Sequence, residues 1–266
     1  MTASRPRVWM LVIIGIVGGI FSGTFGSGGG LVVVPLLLTF AGLDHRRASA
    51  TSLLTILPST LAGSITYLAN GEVDLPAAGI IAIGAVLGSV IGARLLQRLP
   101  LPVLRWGFIL LLVGVAVRMA FVEPVRGDPL SLSPVVVVAY VVIGLLMGLA
   151  SGLFGVGGAV IAVPALVAVL GVSDLIAKGT TLAVMVVSST AGSLTHRRSG
   201  LVDVRSALII GPIAAVAAVG GAYLGLAMTA RLSSVLFAAL LVMIAAQLTV
   251  RALRPDRGGP DAAPAQ

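Results

Sequence analysis

Apolar residues run along this chain in stretches too long and too free of charge to leave one face in water. Five such stretches span 8–26, 31–43, 48–69, 75–97 and 102–122. Five more span 135–155, 159–172, 176–196, 204–229 and 232–250. Polar and charged residues gather in the short gaps between them. A helix needs about 20 residues to cross a bilayer. Four stretches in each half meet that length, while 31–43 and 159–172 fall short of it. Each short stretch follows a glycine-rich break. The first two stretches of each half therefore read as a helix that enters, breaks at glycine, and continues or turns back. The predicted fold class is all-α: a polytopic membrane protein.

Composition agrees. Charged residues make up 10% of the chain, hydrophobic residues 58%, and mean hydropathy is +1.14. A soluble domain carries about 25% charged residues, so lipid is the expected solvent. The formal net charge is +8, yet the basic residues sit singly or in pairs between apolar runs. Without a basic stripe or interleaved aromatics, nucleic acid is not an expected partner. There is no cysteine, hence no disulfide framework, thiolate nucleophile or Cys-ligated metal. Arg5 and Arg7 precede the first apolar run as in a signal peptide. However, no A-x-A-like site follows, and a retained first helix is expected.

The two halves repeat. Shifted by 129 residues, GIVGGIFSGTFGSGGGLVVVP from Gly15 lies on GLLMGLASGLFGVGGAVIAVP from Gly144 without a gap. Further on, Gly42 meets Gly171, Thr51 meets Thr180, Ser59 meets Ser188, and Gly71 meets Gly200. Val73-Asp74 meets Val202-Asp203. Apolar bias alone would not align Pro with Pro and Asp with Asp in one register. Such repeats are common in secondary transporters. The units are a first transmembrane repeat at 1–122, a linker at 123–133, a second repeat at 134–253 and a disordered cytoplasmic tail at 254–266.

Lys and Arg favour the cytoplasmic side. With the N-terminus inside, and each first pair of stretches starting and ending on one side, 13 of the 17 basic residues fall inside. The second half then starts outside, so the repeats lie upside down relative to each other. Both termini are expected in the cytoplasm.

The glycine breaks are the candidate site. They are Gly26-Ser27-Gly28-Gly29-Gly30 before LVVVP, and Gly155-Val156-Gly157-Gly158-Ala159 before VIAVP. Non-helical backbone at membrane depth must be buried in protein or line a cavity. The N–H groups that start the next helix attract anions. Two inverted repeats would bring two such ends together near the midplane. Close packing is the alternative reading of glycine. It accounts for the GxxxGxxxG faces of Gly15, Gly19 and Gly23, of Gly144, Gly148 and Gly152, and of Gly84, Gly88 and Gly92. GSGGG lacks the GK[ST] of a P-loop.

Thr51-Ser52 and Thr180-Thr181 could add hydroxyl donors, unless they bond their own helix backbone. Ser59, Ser188 and Ser189 are open to the same alternatives. All nine acidic residues lie at predicted ends, in loops or in the tail, so no mid-span carboxylate points to a proton relay. Asp74 and Asp203 each precede a helix and read as N-caps. His45 and His196 read as plain interfacial residues, and no metal site or cofactor is expected.

The G-x-F-G-x-GGG-x-x-x-VP break, Ala-x-x-Thr-Ser-Leu at 48–53 and the later G-x-VD resemble the sulfite exporter TauE/SafE family. This family is also called the 4-toluene sulfonate uptake permease family. The second copy carries the matching half, so the resemblance covers about residues 8 to 250. It implies a bacterial plasma-membrane transporter of sulfite, sulfonates or related sulfur-containing anions. The chain departs from the family pattern at Ala159, where a third glycine is frequent. It departs again at Thr180-Thr181-Leu182, where Thr-Ser-Leu is frequent. A passive anion channel and a non-transporting assembly protein are the rival expectations. A membrane enzyme would need an HExxH motif, carboxylate dyad or Cys nucleophile, none of which is present.

Overall fold

The computed structural model describes residues 8–121, 133–198 and 200–253. The expected linker, apart from Ser133, and the expected tail lie outside the described residues. Among the described residues there is no strand, and the helices follow the apolar stretches closely. They are α1 (Val8–Phe25), α2 (Gly30–Phe40), α3 (His45–Ala69), α4 (Leu75–Arg98) and α5 (Leu101–Phe121). Then come α6 (Pro134–Phe154), α7 (Ala159–Leu170), α8 (Asp174–Arg198), α9 (Val204–Ala227) and α10 (Ala230–Leu253). Seven of these are long and apolar enough to cross a membrane: α1, α3, α4, α6, α8, α9 and α10. Helix α2 is a shorter apolar helix, and so is the 102–117 part of α5.

Helix starts follow local chemistry. Asp44 caps α3 by accepting from Arg47 N at 2.7 Å, and Asp74 caps α4 by accepting from Ala77 N at 3.0 Å. Asp203 caps α9 by accepting from the backbone and hydroxyl of Ser206. Each satisfies a donor that the first turn leaves without a helical partner.

The halves interlock through glycine. Gly15, Gly19 and Gly23 of α1 face the backbone of α9 at Ile210, Ala214 and Ala218 in the same order, so these helices run parallel. Gly144, Gly148 and Gly152 of α6 face Ile81, Ala85 and Ser89 of α4 in the same way. With no side chain between them, the backbones approach as closely as small-residue faces allow. Exchanging one half for the other leaves the pairing pattern unchanged. Helix α3 packs on α8 and α9, α8 on α3 and α4, and α5 on α10. Helix α3 runs antiparallel to α8, its repeat counterpart. Leu53 lies against Gly192, and Leu182 lies against Gly63, which is the same contact made twice.

Candidate functional site

Both glycine breaks are enclosed. Every residue from 22 to 35 and from 150 to 160 is buried. The chain turns through positive φ at Gly26, Gly28 and Gly29, and again at Gly155, Gly157 and Gly158. A side chain in this left-handed region costs about 1–2 kcal/mol. Gly29 and Gly158 then stand at the N-caps of α2 and α7 with no side-chain capping bond. Val32 N–H and Ile161 N–H turn back to the Gly29 and Gly158 carbonyls at 3.0 Å. The N–H groups ahead of them, at Gly30 and Leu31 and at Ala159 and Val160, are those that a helix start leaves without a helical partner.

The breaks meet at one side chain. A Cβ added at Gly28 or at Gly157 would run into the Met185 methyl of α8. Thr60 of α3 lies beside Gly28, and Ile56 of α3 beside Gly157. Gly30 packs directly on the backbone of Gly155 and Val156, so the two breaks also touch. Gly26 sits against the stem of Lys178 on α8. In the repeat-equivalent contact, Gly155 sits against Ser49 on α3. Each break is thus braced by the third helix of the opposite half.

The hydroxyls differ in what they bond. Ser52 Oγ donates to Gly155 O at 2.8 Å and so binds the second break. Its counterpart Thr181 is buried and its Oγ1 has no hydrogen-bond partner. Ser27 Oγ turns back to Phe21 O at 3.2 Å. Thr51 and Thr180 lie away from the breaks, at the starts of α9 and α4. Thr51 Oγ1 accepts from Asp203 N, and Thr180 Oγ1 accepts from Asp74 N, each at 2.9 Å. Ser59, Ser188 and Ser189 are buried. Ser59 Oγ lies 2.9 Å from Ile56 O and 3.4 Å from both Gly28 O and Ser22 Oγ.

Three features escaped the sequence reading. Met185 aligns with Ile56, and two apolar residues in register carry no polar signal. Ser22 aligns with Ser151, a match the repeat offered; Ser151 Oγ is buried without a partner. The histidines need correction as well. His45 and His196 occur near helix ends, but both are buried in protein. His196 Nε2–H donates to Gly152 O at 3.1 Å, as its counterpart Tyr67 donates to Gly23 O at 3.0 Å. Despite their different chemistry, the two residues make the same contact.

Two interlocked halves with seven membrane-length helices make this a multi-pass membrane protein. The family model of the sulfite exporter TauE/SafE matches residues 2–119 and 140–265, and the chain belongs to that family. It is 28% identical over 265 residues to the probable membrane transporter protein YunE of Bacillus subtilis, covering 90% of this chain and 96% of that protein. It is 24% identical to the probable membrane transporter protein YdhB of the same organism, covering 73% and 80%. It is 28% identical over 119 residues to sulfite exporter TauE/SafE family protein 2 of Arabidopsis thaliana, covering 45% and 26%. No solved structure matches the chain.

Proposed function

We propose that this membrane transporter moves a small sulfur-containing anion, such as sulfite or a sulfonate, by alternating access between two inverted halves. It is not an enzyme in this reading and needs no cofactor. The carrying observation is that Gly28 and Gly157, from opposite halves, converge on Met185 beside the uncapped starts of α2 and α7. Backbone N–H groups there can hold an oxyanion, as helix N-termini do in many transporters. Gly26, Ser27, Gly28, Gly29 and Gly30 form one wall of the site, and Gly155, Gly157 and Gly158 the other. Thr181 adds a hydroxyl, Ser52 holds the second break through Gly155 O, and Thr51 and Thr180 tether the starts of α9 and α4. The antiparallel α3–α8 pair supports inversion, because repeats related by an axis along the membrane normal would keep equivalent helices parallel.

Enclosure of both breaks favours a carrier over an open channel. The plasma membrane is what the family resemblance implies, and the distribution of Lys and Arg supports cytoplasmic termini. The test is flux of sulfite and simple sulfonates into proteoliposomes. Saturable flux is expected, and it should be lost in Gly28→Leu and Gly157→Leu proteins that still insert. Undiminished flux in those variants would remove the breaks from the site, and linear flux driven by potential alone would make the protein a channel.

A further inference from the structure

Asp174 and Lys178 form a buried ion pair one turn apart on α8, with Oδ2 and Nζ at 2.7 Å. Lys178 Nζ also donates to Ser233 Oγ of α10 at 2.6 Å. Lys178 is 2% exposed and Asp174 6%. From the sequence, Asp174 is one more carboxylate at a helix end; in the fold it is enclosed. Charge at such a place is expensive and marks function in membrane proteins more often than architecture. The repeat strengthens this. The positions equivalent to Asp174, Lys178 and Ser233 are His45, Ser49 and Leu104, so the same fold is built in the first half without an ion pair.

The pair lies beside the candidate site. The Lys178 stem packs on Gly26, the first residue of the first break. Its flexible four-carbon stem lets the ammonium turn between Asp174 and the break. Gly179 sets α8 against the Tyr67 side chain and the Glu72 backbone at the end of α3. The Tyr67 hydroxyl is engaged with Gly23 O. Helix α10 contributes the neutral Ser233, and the break of α1 contributes only backbone.

We propose that Asp174 and Lys178 couple anion movement to a proton. This rests on the transporter reading above and adds its coupling. In the empty state Lys178 is neutralised by Asp174. When a proton binds the Asp174 carboxylate, Lys178 changes partner to a monovalent anion at the first break. Proton and anion enter together, so the buried charge is zero before and after. Neither step leaves an unpaired charge in the membrane. The transported unit is one anion with one proton.

The probe is methanesulfonate, the anion of a strong acid, which cannot carry the proton itself. In proteoliposomes the wild-type protein should accumulate methanesulfonate down an imposed pH gradient, move one proton with each anion, and be indifferent to a potassium–valinomycin potential. Potential-driven uptake without proton movement would overturn the coupling while leaving the transporter reading intact. Transport confined to sulfite, which brings its own proton as bisulfite, would overturn it too. Failure to move either anion would overturn both. Asp174→Asn, which mimics the protonated acid, should keep methanesulfonate exchange but lose gradient-driven accumulation; accumulation equal to wild type would sink the proposal. Should that variant not insert, Asp174→Asn with Lys178→Gln removes both charges, and coupled uptake by it would have the same consequence.

Discussion

The hydroxyl of Thr51 accepts the backbone N–H of Asp203 at 2.9 Å, from one half of the chain to the other. Thr180 holds Asp74 N at the same distance, so one bond is made twice by repeat symmetry. Each threonine ties the start of a long helix to the third helix of the opposite half. Both threonines are buried, so water is poorly placed to replace them. Thr51→Val or Thr180→Val keeps the shape and strands a backbone donor, at a cost of about 1–3 kcal/mol. Each should lower the thermal midpoint of the purified protein in detergent, while Thr→Ser should restore most of it. A valine variant as stable as wild type would show that the tether contributes nothing.

Met185 gives the two breaks a shared neighbour, which makes a suppressor test possible. Gly28→Ala and Gly157→Ala each drive a methyl group into the Met185 methyl at a positive φ. Backbone strain costs about 1–2 kcal/mol and overpacking about 1–3 kcal/mol. Met185→Ala removes most of the second cost, leaving the contacts with Thr60 and Ile56, and leaves the first. One substitution should therefore partly rescue both glycine variants, measured as recovered detergent-stable protein. Rescue of only one would show that the breaks do not share this neighbour.

The repeat made much of this architecture readable. Ungapped identity at Pro35 and Pro164, and at Asp74 and Asp203, set the element order and the two N-caps. The breaks were visible because glycine clusters interrupt apolar runs. Which half supports which break was not visible: Gly26 meets Lys178 and Gly155 meets Ser49 only once the halves interlock. The Thr51 and Thr180 hydroxyls look available to a ligand along the chain, and only folding brings the Asp203 and Asp74 N–H groups to them. Burial of Asp174 was hidden for a related reason. A charge near a helix end reads as a solvated terminus, and nothing local shows that α10 brings Ser233 to its lysine partner.

The GxxxG faces carry a sharper expectation than general packing. Gly88 and Gly148 lie directly against backbone of the partner helix, at Leu145 and Ala85. Gly79, on the same helix as Gly88, has open space around its missing Cβ. Gly88→Leu or Gly148→Leu should therefore separate α4 from α6 and abolish a monodisperse peak in size-exclusion chromatography. Gly79→Leu should elute as wild type. Equal behaviour of Gly79→Leu and Gly88→Leu would mean that helix propensity, not close approach, decides the outcome.

Antiparallel α3 and α8 lead to the last prediction. These helices are repeat counterparts, and the loops after them are equivalent. If the halves are inverted, the loop after α3 opens on one side of the membrane and the loop after α8 on the other. The chain contains no cysteine, so a single introduced thiol reports its own position without background. Asn70→Cys is at an exposed site after α3, and Leu201→Cys is at a half-buried one after α8. In intact cells a membrane-impermeant maleimide should label Asn70→Cys, and Leu201→Cys should react only after the membrane is opened. This follows from the side on which Lys and Arg accumulate. Swapped accessibility would reverse the orientation but keep the inversion. Labelling of both from one side would show that the halves share an orientation, and the proposed meeting of two opposed helix starts at Met185 would lose its basis.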